Sequence, residues 1–247
     1  MKEVLVVIPA RYASSRYPGK PLVPILGTPM VIRVARIAAA AVGVDSVVVA
    51  TEDARIAEVV AAAGFRAVMT SDRCLTGTDR LAEVAEQVDA AVYVNVQGDE
   101  PILDPASIQA VIEQKRLHPT CVINAMAPIA SSEDPGSVNI PKVVANEDGL
   151  MLYMSRNAVP GFKDPLLAPV QYWKQVCIYA FTRGELRAFS AFGRKSVIEN
   201  SEDIEILRFL ELGIQVRMLE VAGGSLAVDV PDDVARVEQA LTAASLA

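Results

Sequence analysis

The sequence contains few of the residues that build metal centres and disulfide frameworks. Its 247 residues include one histidine, His118, and three cysteines, Cys74, Cys121 and Cys177, without C-x-x-C spacing. These numbers argue against a structural zinc site and a disulfide framework, and they favour the reducing cytoplasm as location. They also supply no credible Ser-His-Asp or Cys-His set, so we expect no covalent enzyme intermediate.

Long apolar runs are missing as well. The longest candidate, Val31 to Val44, is interrupted by Arg33 and Arg36 and is shorter than the ~20 apolar residues that a spanning helix needs. The N-terminal run Val4 to Ile8 is too short for a secretory signal, so we expect Met1 to be the mature start. We therefore predict no membrane partner.

Positive charge is scarce overall but concentrated in one segment. The formal net charge is −7, which makes general nucleic-acid binding improbable because a polyanion would be repelled. Between residues 4 and 44 there is no acidic residue, and the five cations are Arg11, Arg16, Lys20, Arg33 and Arg36. This pattern is typical of a protein that holds a small anion locally.

The first half of the sequence alternates short β-branched runs with Ala-rich helical patterns. We predict an α/β fold with a Rossmann-like, mostly parallel sheet and helices on both faces, in one domain covering residues 1–247. The predicted strands are Val4–Ile8, Ser46–Ala50, Ala67–Thr70, Ala91–Val96 and Cys121–Ala127. The predicted helices are Met30–Val42, Asp53–Ala63, Thr78–Glu86 and Pro105–Leu117.

The regularity weakens after about Asp134, which indicates a smaller inserted lobe of mixed or antiparallel strands. Strands are predicted at Pro141–Ala145, Met151–Ser155, Val176–Phe181 and Val216–Leu219, and helices at Glu202–Leu212 and Pro231–Ala244. Residues Asn200 to Asp203 are interpreted as a helix N-cap followed by first-turn acids. We expect a nucleotide-binding half (1–133), a sugar-binding and dimerisation lobe (134–220) and a return to the core (221–247).

The loop after the first strand carries Arg11, Arg16 and Lys20 in a segment stiffened by prolines. In an open parallel sheet this loop lines the ligand crevice, and guanidinium and ammonium groups together could hold a triphosphate. The G-x-x-x-x-G-K-[ST] and G-x-G-x-x-G patterns are absent, which argues against the common ATPase and dehydrogenases.

Two aspartates are candidate ligands for a hard cation. Asp99 follows a predicted buried strand and projects into the crevice, where Mg²⁺ would accept carboxylate and phosphate oxygens. Asp229 precedes the last helix, and by itself it is better explained as a capping or turn residue than as a metal ligand. Asp232 and Asp233 are expected in the first turn of that helix, where its dipole favours acids.

Several segments resemble one enzyme family in matching order. After the Pro9–Leu22 loop they are Thr76–Glu83, Val94–Pro101, Lys142–Val144, Tyr153–Arg156, Ile178–Phe181 and Val228–Asp233. Together they are similar to the 3-deoxy-manno-octulosonate cytidylyltransferase (CMP-Kdo synthetase) family of sugar-activating nucleotidyltransferases. The resemblance implies a fold like that of the nucleotide-diphospho-sugar transferases and a homodimer.

The resemblance also implies a reaction and its residues. The reaction is Mg²⁺-dependent activation of a 3-deoxy-ulosonic acid, with Kdo (3-deoxy-manno-octulosonate) as leading substrate, by CTP, giving a CMP-sugar and pyrophosphate for lipopolysaccharide or capsule biosynthesis. The implied metal ligands are Asp99 and Asp229, and the implied catalytic residues are Arg11, Arg16, Lys20 and Asp99. The implied nucleotide contacts are Ala10, Arg11, Ser14, Arg16, Lys20, Thr78, Arg80 and Gln97. The implied sugar contacts are Gln97, Arg156, Gln175, Tyr179 and Glu205, with Arg156 or Arg80 expected to bind the carboxylate.

The sequence departs from the family in the second lobe. Gln175 stands where the family has histidine, Cys177 replaces a glycine, and Ile206 replaces a glutamine. Loss of polar partners changes which hydroxyl-bearing ligand a site prefers. An amino-Kdo, another ulosonic acid or a phosphonate is therefore an alternative substrate, and a non-catalytic nucleotide-binding regulatory protein is the alternative class.

Overall fold

The computed structural model describes residues 1–13, 17–223 and 226–245. Ser14 and Arg16, two of the expected nucleotide contacts, lie outside the described residues. The strands are β1 (Lys2–Pro9), β2 (Pro24–Ile25), β3 (Thr28–Pro29), β4 (Val47–Thr51), β5 (Arg66–Met69), β6 (Ala90–Val96), β7 (Val122–Pro128), β8 (Lys142–Ala145), β9 (Met151–Ser155), β10 (Trp173–Phe181) and β11 (Val216–Glu220). The helices are α1 (Met30–Val42), α2 (Ala54–Ala62), α3 (Gly77–Gln87), α4 (Pro105–Leu117), α5 (Arg183–Ala191), α6 (Val197–Glu202), α7 (Leu207–Glu211) and α8 (Asp233–Ser245).

Local sequence signals fix the helices of the first half. The side chains of Asp53, Thr76 and Asp104 accept backbone hydrogen bonds at the starts of α2, α3 and α4. These caps satisfy amide groups that the first helical turn leaves unpaired. Helices α1 and α4 have the predicted bounds. In the described part of the chain, no helix is both long and apolar enough to cross a membrane.

The central sheet is mostly parallel and has helices on both faces, as predicted. Its strand order is β11-β7-β10-β6-β1-β4-β5, and β10 runs antiparallel to both of its neighbours. Along β1, Val6 and Ile8 face a core shared with α1, α2 and α4, whereas Leu5 and Val7 face a core shared with α3, α5 and α7. This alternation explains why β1 is apolar from Val4 to Ile8.

The later part of the chain shares this sheet. Strands β10 and β11 lie within residues 134–220 but belong to the central sheet, and the β8–β9 pair extends from β10. The antiparallel element of the fold is thus continuous with the core. The assignment of ligands to residues 1–133 and 134–220 stays a prediction.

The helix predicted at Glu202–Leu212 is wrong. Helix α6 ends at Glu202, Asp203 has a left-handed backbone (φ 50°), and α7 starts only at Leu207. Residues Asn200 to Asp203 therefore end a helix, and the capping box that starts it is formed by Ser196 and Glu199. Helix α5 was not predicted, although Thr182 and Glu185 form a capping box at its start.

Candidate active site

A cleft of about 1400 Å³ lies at the carboxyl ends of β1 and β6. Two glycines allow its walls to approach closely. A Cβ atom on Gly98 would lie 3.1 Å from the carbonyl oxygen of Pro9, and one on Gly77 would lie 3.2 Å from the Pro9 ring. Ala10 is buried at the cleft wall, and its N–H donates to the carbonyl of Ala50 at 2.9 Å. The cleft is where an open α/β sheet binds its ligand.

Lys20, Asp99 and Asp229 meet in this cleft. The ammonium of Lys20 lies 2.8 Å from Oδ2 of Asp99 and 3.8 Å from Oδ1 of Asp229. It also donates to the carbonyl of Val228 at 2.9 Å, while the N–H of Val228 donates to the carbonyl of Asp99. These contacts tie together segments more than two hundred residues apart. The structure brings the two predicted metal ligands to one cation.

The donor set at this point fits a hard divalent cation. Two carboxylates and a backbone carbonyl already surround the single positive charge of Lys20, and oxygens of these types are what Mg²⁺ binds. Within residues 1–13, 17–223 and 226–245 there is no group of three or more His, Cys, Asp or Glu side chains that could hold a metal. A magnesium ion here would depend on further oxygens from a phosphate or from water.

Asp233 shapes the turn that presents Asp229. One oxygen of its carboxylate accepts hydrogen bonds from the N–H groups of Asp229 and Val230, at 2.8 and 3.0 Å. Asp233 lies in the first turn of α8, as expected, and it fixes the backbone before the helix. Its role is therefore to position Asp229.

The arginines of the cleft differ in whether their guanidinium groups already have partners within the chain. Arg80 is buried, with an ion pair to Glu52 at 2.9 Å. Arg156 donates to the carbonyls of Val138 and Asp203 at 2.8 and 2.9 Å. Both guanidinium groups, the candidates for the sugar carboxylate, are thus already bound by the chain.

Arg11 is different from these two. Its side chain is exposed at the cleft, and within the described ranges it has no hydrogen bond or ion pair. It can therefore accept an anion without breaking an existing contact.

Glu205 is held at the start of α3. Its carboxylate accepts from the N–H of Thr78 and from the amide of Gln97, each at 3.1 Å. Burial raises the pKa of the Glu205 carboxyl, and the hydrogen bond from Thr78 opposes this. The structure thus brings together three of the predicted contacts, Gln97, Thr78 and Glu205.

Asn95 is a polar residue at this wall that the sequence analysis missed. It is fully buried in β6, and neither amide atom of its side chain has a hydrogen-bond partner among the described residues. A Cβ atom on Gly77 would lie 3.6 Å from its nitrogen and 3.7 Å from the Glu205 carboxylate. The available signal was an asparagine inside the otherwise apolar run Ala90–Val96.

Strand β10 forms the far wall and includes three residues singled out from the sequence, Gln175, Cys177 and Tyr179. Gln175 donates to the side-chain oxygen of Asn124 at 3.1 Å. The register shifts between Val176 and Tyr179, and there the N–H of Cys177 donates to the Glu100 carboxylate at 3.1 Å. Burial raises the pKa values of the Cys177 thiol and the Tyr179 hydroxyl well above their ordinary values, so both are neutral near pH 7.

Ile206 does not belong to the site. It is fully buried and packs in the hydrophobic core below the cleft, whereas the adjacent Glu205 lines the cleft. The expectation that Ile206 removes a polar contact from the sugar site is therefore wrong. Of the departures from the family, Gln175 and Cys177 remain at the cleft.

A buried ion network supports this wall from behind. The guanidinium of Arg208 is fully buried and lies 2.6 Å from Glu199 and 2.9 Å from Asp79. It connects α6 and α7 to the first turn of α3. Sequence reasoning missed Arg208 because nothing local distinguishes it from a surface arginine.

Known proteins resemble this chain over nearly its whole length. The profile of the family described as cytidylyltransferase matches residues 5–217. A 3-deoxy-manno-octulosonate cytidylyltransferase from Syntrophotalea carbinolica is 40% identical over 243 residues, covering 95% of this chain and 97% of that protein. The protein of the same name from Escherichia coli is 38% identical over 247 residues, covering 100% and 99%.

A solved structure shares the fold closely. It is described as CMP:2-keto-3-deoxy-manno-octonic acid synthetase complexed with CTP, and it is 37% identical to this chain. The TM-score is 0.90, and the match covers 98% of this chain and 99% of that one.

Proposed function

The chain belongs to the cytidylyltransferase family, and from this premise we propose that it transfers the cytidylyl group of CTP to Kdo. A sugar hydroxyl loses its proton to solvent as its oxygen bonds to the α-phosphorus, the bond from that phosphorus to the bridging oxygen breaks, and pyrophosphate leaves with this oxygen. No covalent bond to the protein is needed. The observation that carries the proposal is the meeting of Lys20, Asp99 and Asp229 in one cleft.

The charges of the cleft support a role for a divalent cation. Its described lining contains nine carboxylates and seven cationic side chains, and Arg80, Arg156 and Lys20 already have acidic or carbonyl partners. Two anionic substrates therefore meet a wall with an excess of negative charge. We infer that Asp99 and Asp229 hold Mg²⁺, which when bound offsets phosphate charge and polarises the α-phosphate.

The cationic side chains Arg11 and Lys20 have separate roles in binding the nucleotide. Arg11 is placed to bind the triphosphate, because it is exposed at the cleft and has no partner within the described ranges. Lys20 changes partners: with nucleotide bound, its ammonium contacts phosphate oxygens and Asp99 becomes available as a ligand. The acid binds toward Glu205 and Gln175, on the opposite wall.

We also propose a homodimer formed through the second lobe. The segment between β9 and β10 exposes Leu166, Leu167 and Val170 almost completely, with relative exposures of 92%, 71% and 105%. A cluster of exposed apolar side chains of this kind marks an interaction surface. Light scattering of the purified chain measures the mass directly.

Pyrophosphate release tests the reaction. We expect release with CTP, Mg²⁺ and Kdo, and a fall in turnover of about 10²–10³ for Asp99→Asn and Asp229→Asn. Asp45→Asn is the matched control, because Asp45 is exposed and outside the cleft. If folded protein binds CTP but no acid of a panel containing amino-Kdo, other ulosonic acids and a phosphonate releases pyrophosphate, the chain is a nucleotide-binding protein without turnover.

A further inference from the structure

A second cavity, of about 610 Å³, lies behind the cleft. It is open to solvent and is bounded by α1, by the segment that follows Asp99, and by α8. Its described walls are Thr28, Arg33, Arg36, Ile37, Ala40, Pro101, Ile102, Leu103, Pro105, Ala240 and Leu241. Apart from Thr28 and the two arginines these side chains are apolar, and none is acidic. The volume lies within the range of about 300–1000 Å³ that small-molecule sites occupy.

Two cations face this apolar space without an acidic partner. Arg33 donates one guanidinium N–H to the carbonyl of Ile25 at 2.9 Å, but its buried Nε has no hydrogen-bond partner in the described chain. Arg36 lies one turn further along α1, is exposed, and forms no ion pair with any described residue. Both arginines lie outside the cleft, although the sequence places them in the same cationic segment as Lys20.

We propose that this cavity binds a small amphipathic anion, with a carboxylate or phosphate head on an apolar body. The head would pair with the guanidinium groups of Arg33 and Arg36, which bind such oxygens in bidentate fashion. The body would lie against Ile37, Ile102 and Leu241. Arg33 and Arg36 are the charged residues of the described walls, which contain no acidic side chain, so charge complementarity selects the anion.

The position of the cavity couples it to the candidate metal site. Its wall at Pro101–Leu103 begins two residues after Asp99. Its opposite wall, α8, begins four residues after Asp229 and is held to β2 and α1 by a small apolar cluster that includes Val237 and Leu241. An occupant therefore contacts the two segments that follow Asp99 and Asp229, and we expect it to alter the separation of these aspartates.

Calorimetric titration of the full chain with octanoate, octyl phosphate and octanol tests the binding. We expect saturable binding of one or both anions and binding of octanol that is weaker by about tenfold, as loss of a charge-assisted contact implies. Arg36→Gln should weaken anion binding about tenfold, and Ala40→Trp, which fills the cavity from an exposed position, should abolish it. Arg66→Gln is the matched control, since Arg66 is exposed on β5 and distant in sequence from the cavity walls.

Several results would overturn the proposal. One is the absence of saturable anion binding by the wild-type chain, and another is equal affinity of that chain for octanol and the anions. A third such result is unchanged anion affinity in both Arg36→Gln and Ala40→Trp when their thermal unfolding matches that of the wild type. For the coupling, saturating anion should change the KM for CTP about fivefold or more in the wild type and not in Ala40→Trp. Binding without any change in KM would refute the coupling. Because binding is measured without substrate, its outcome is independent of the proposed reaction.

Discussion

Replacement of Lys20 by methionine separates a catalytic from a structural role for its charge. In the structure its ammonium lies 2.8 Å from Asp99 and 3.8 Å from Asp229, and its side chain is only 16% exposed. Methionine retains most of the side-chain volume but removes the charge. The Lys20 charge that contacts both carboxylates is then absent.

The magnitude follows from these distances. The two carboxylate oxygens are at most about 6.6 Å apart, since each is measured from the same nitrogen. At an effective dielectric constant between 20 and 80, their repulsion is roughly 0.6–2.5 kcal/mol. Loss of the charged hydrogen bonds costs about 1.5–3 kcal/mol more before partial exposure is taken into account. We therefore expect the free energy of unfolding to fall by about 2–3 kcal/mol without Mg²⁺.

Added Mg²⁺ should restore the stability of the Lys20→Met protein but not its turnover. It should raise the Tm of Lys20→Met more than that of the wild type, because no ammonium competes for the carboxylates. It should not restore turnover, and the kcat/KM for CTP should stay about 10²–10³-fold below that of the wild type. The assays are thermal unfolding across a Mg²⁺ titration and pyrophosphate release. Lys2→Met, at an exposed lysine that donates to the Asp45 carbonyl, is the control.

The reasoning is refuted by a Lys20→Met protein with wild-type kcat/KM. It is equally refuted if the variant and the wild type respond identically to Mg²⁺. A protein that is merely destabilised would recover turnover once Mg²⁺ restores its Tm.

Three further substitutions test the walls of the cleft. Glu205→Gln should gain stability relative to wild type as pH rises from about 4.5. Burial raises the pKa of Glu205 in the folded protein, so the wild type loses the stability contributed by the protonated carboxyl as pH rises through that folded-state pKa, whereas glutamine does not titrate. Unfolding titrations at several pH values measure the difference. Gly98→Ala should lower the free energy of unfolding by about 1–3 kcal/mol, because its Cβ would lie 3.1 Å from the Pro9 carbonyl, and an unchanged Tm would contradict this. Arg208→Met should cost about 3–5 kcal/mol in denaturant unfolding, because it leaves the buried Glu199 and the partly buried Asp79 without their cationic partner. The exposed Arg187→Met should leave stability unchanged.

The first half of the fold could be predicted because its signals are local. Helix α4 begins after the cap Asp104 with proline at its first position, and its predicted and observed bounds agree. Strand β1 is apolar on both faces, which only a central strand requires. Asp99 could be placed at the cleft because it follows such a strand.

The remainder depends on contacts that sequence spacing does not encode. Because the chain breaks between α6 and α7, the Arg208 side chain lies against Glu199 and Asp79. Its direction is determined by these buried ion pairs and not by helical periodicity. Likewise, nothing in the sequence shows that Glu205 faces the cleft while Ile206 faces the core. Local patterns predict elements, but they do not predict which polar side chains become buried together.

Because Ile206 lies in the core, we expect the preference among acidic sugar substrates to depend on residues of strand β10. Because Ile206 has no exposed surface and lies among apolar side chains, Ile206→Gln would bury an amide without a partner and should cost about 1–3 kcal/mol of stability. It should leave the preference among acids unchanged. Gln175 lines the cleft and holds Asn124, so Gln175→His should change the ratio of kcat/KM between Kdo and the other acids of the panel. If Ile206→Gln alters that ratio and Gln175→His does not, specificity arises from the core of the second lobe, and the assignment of the sugar end of the cleft is wrong.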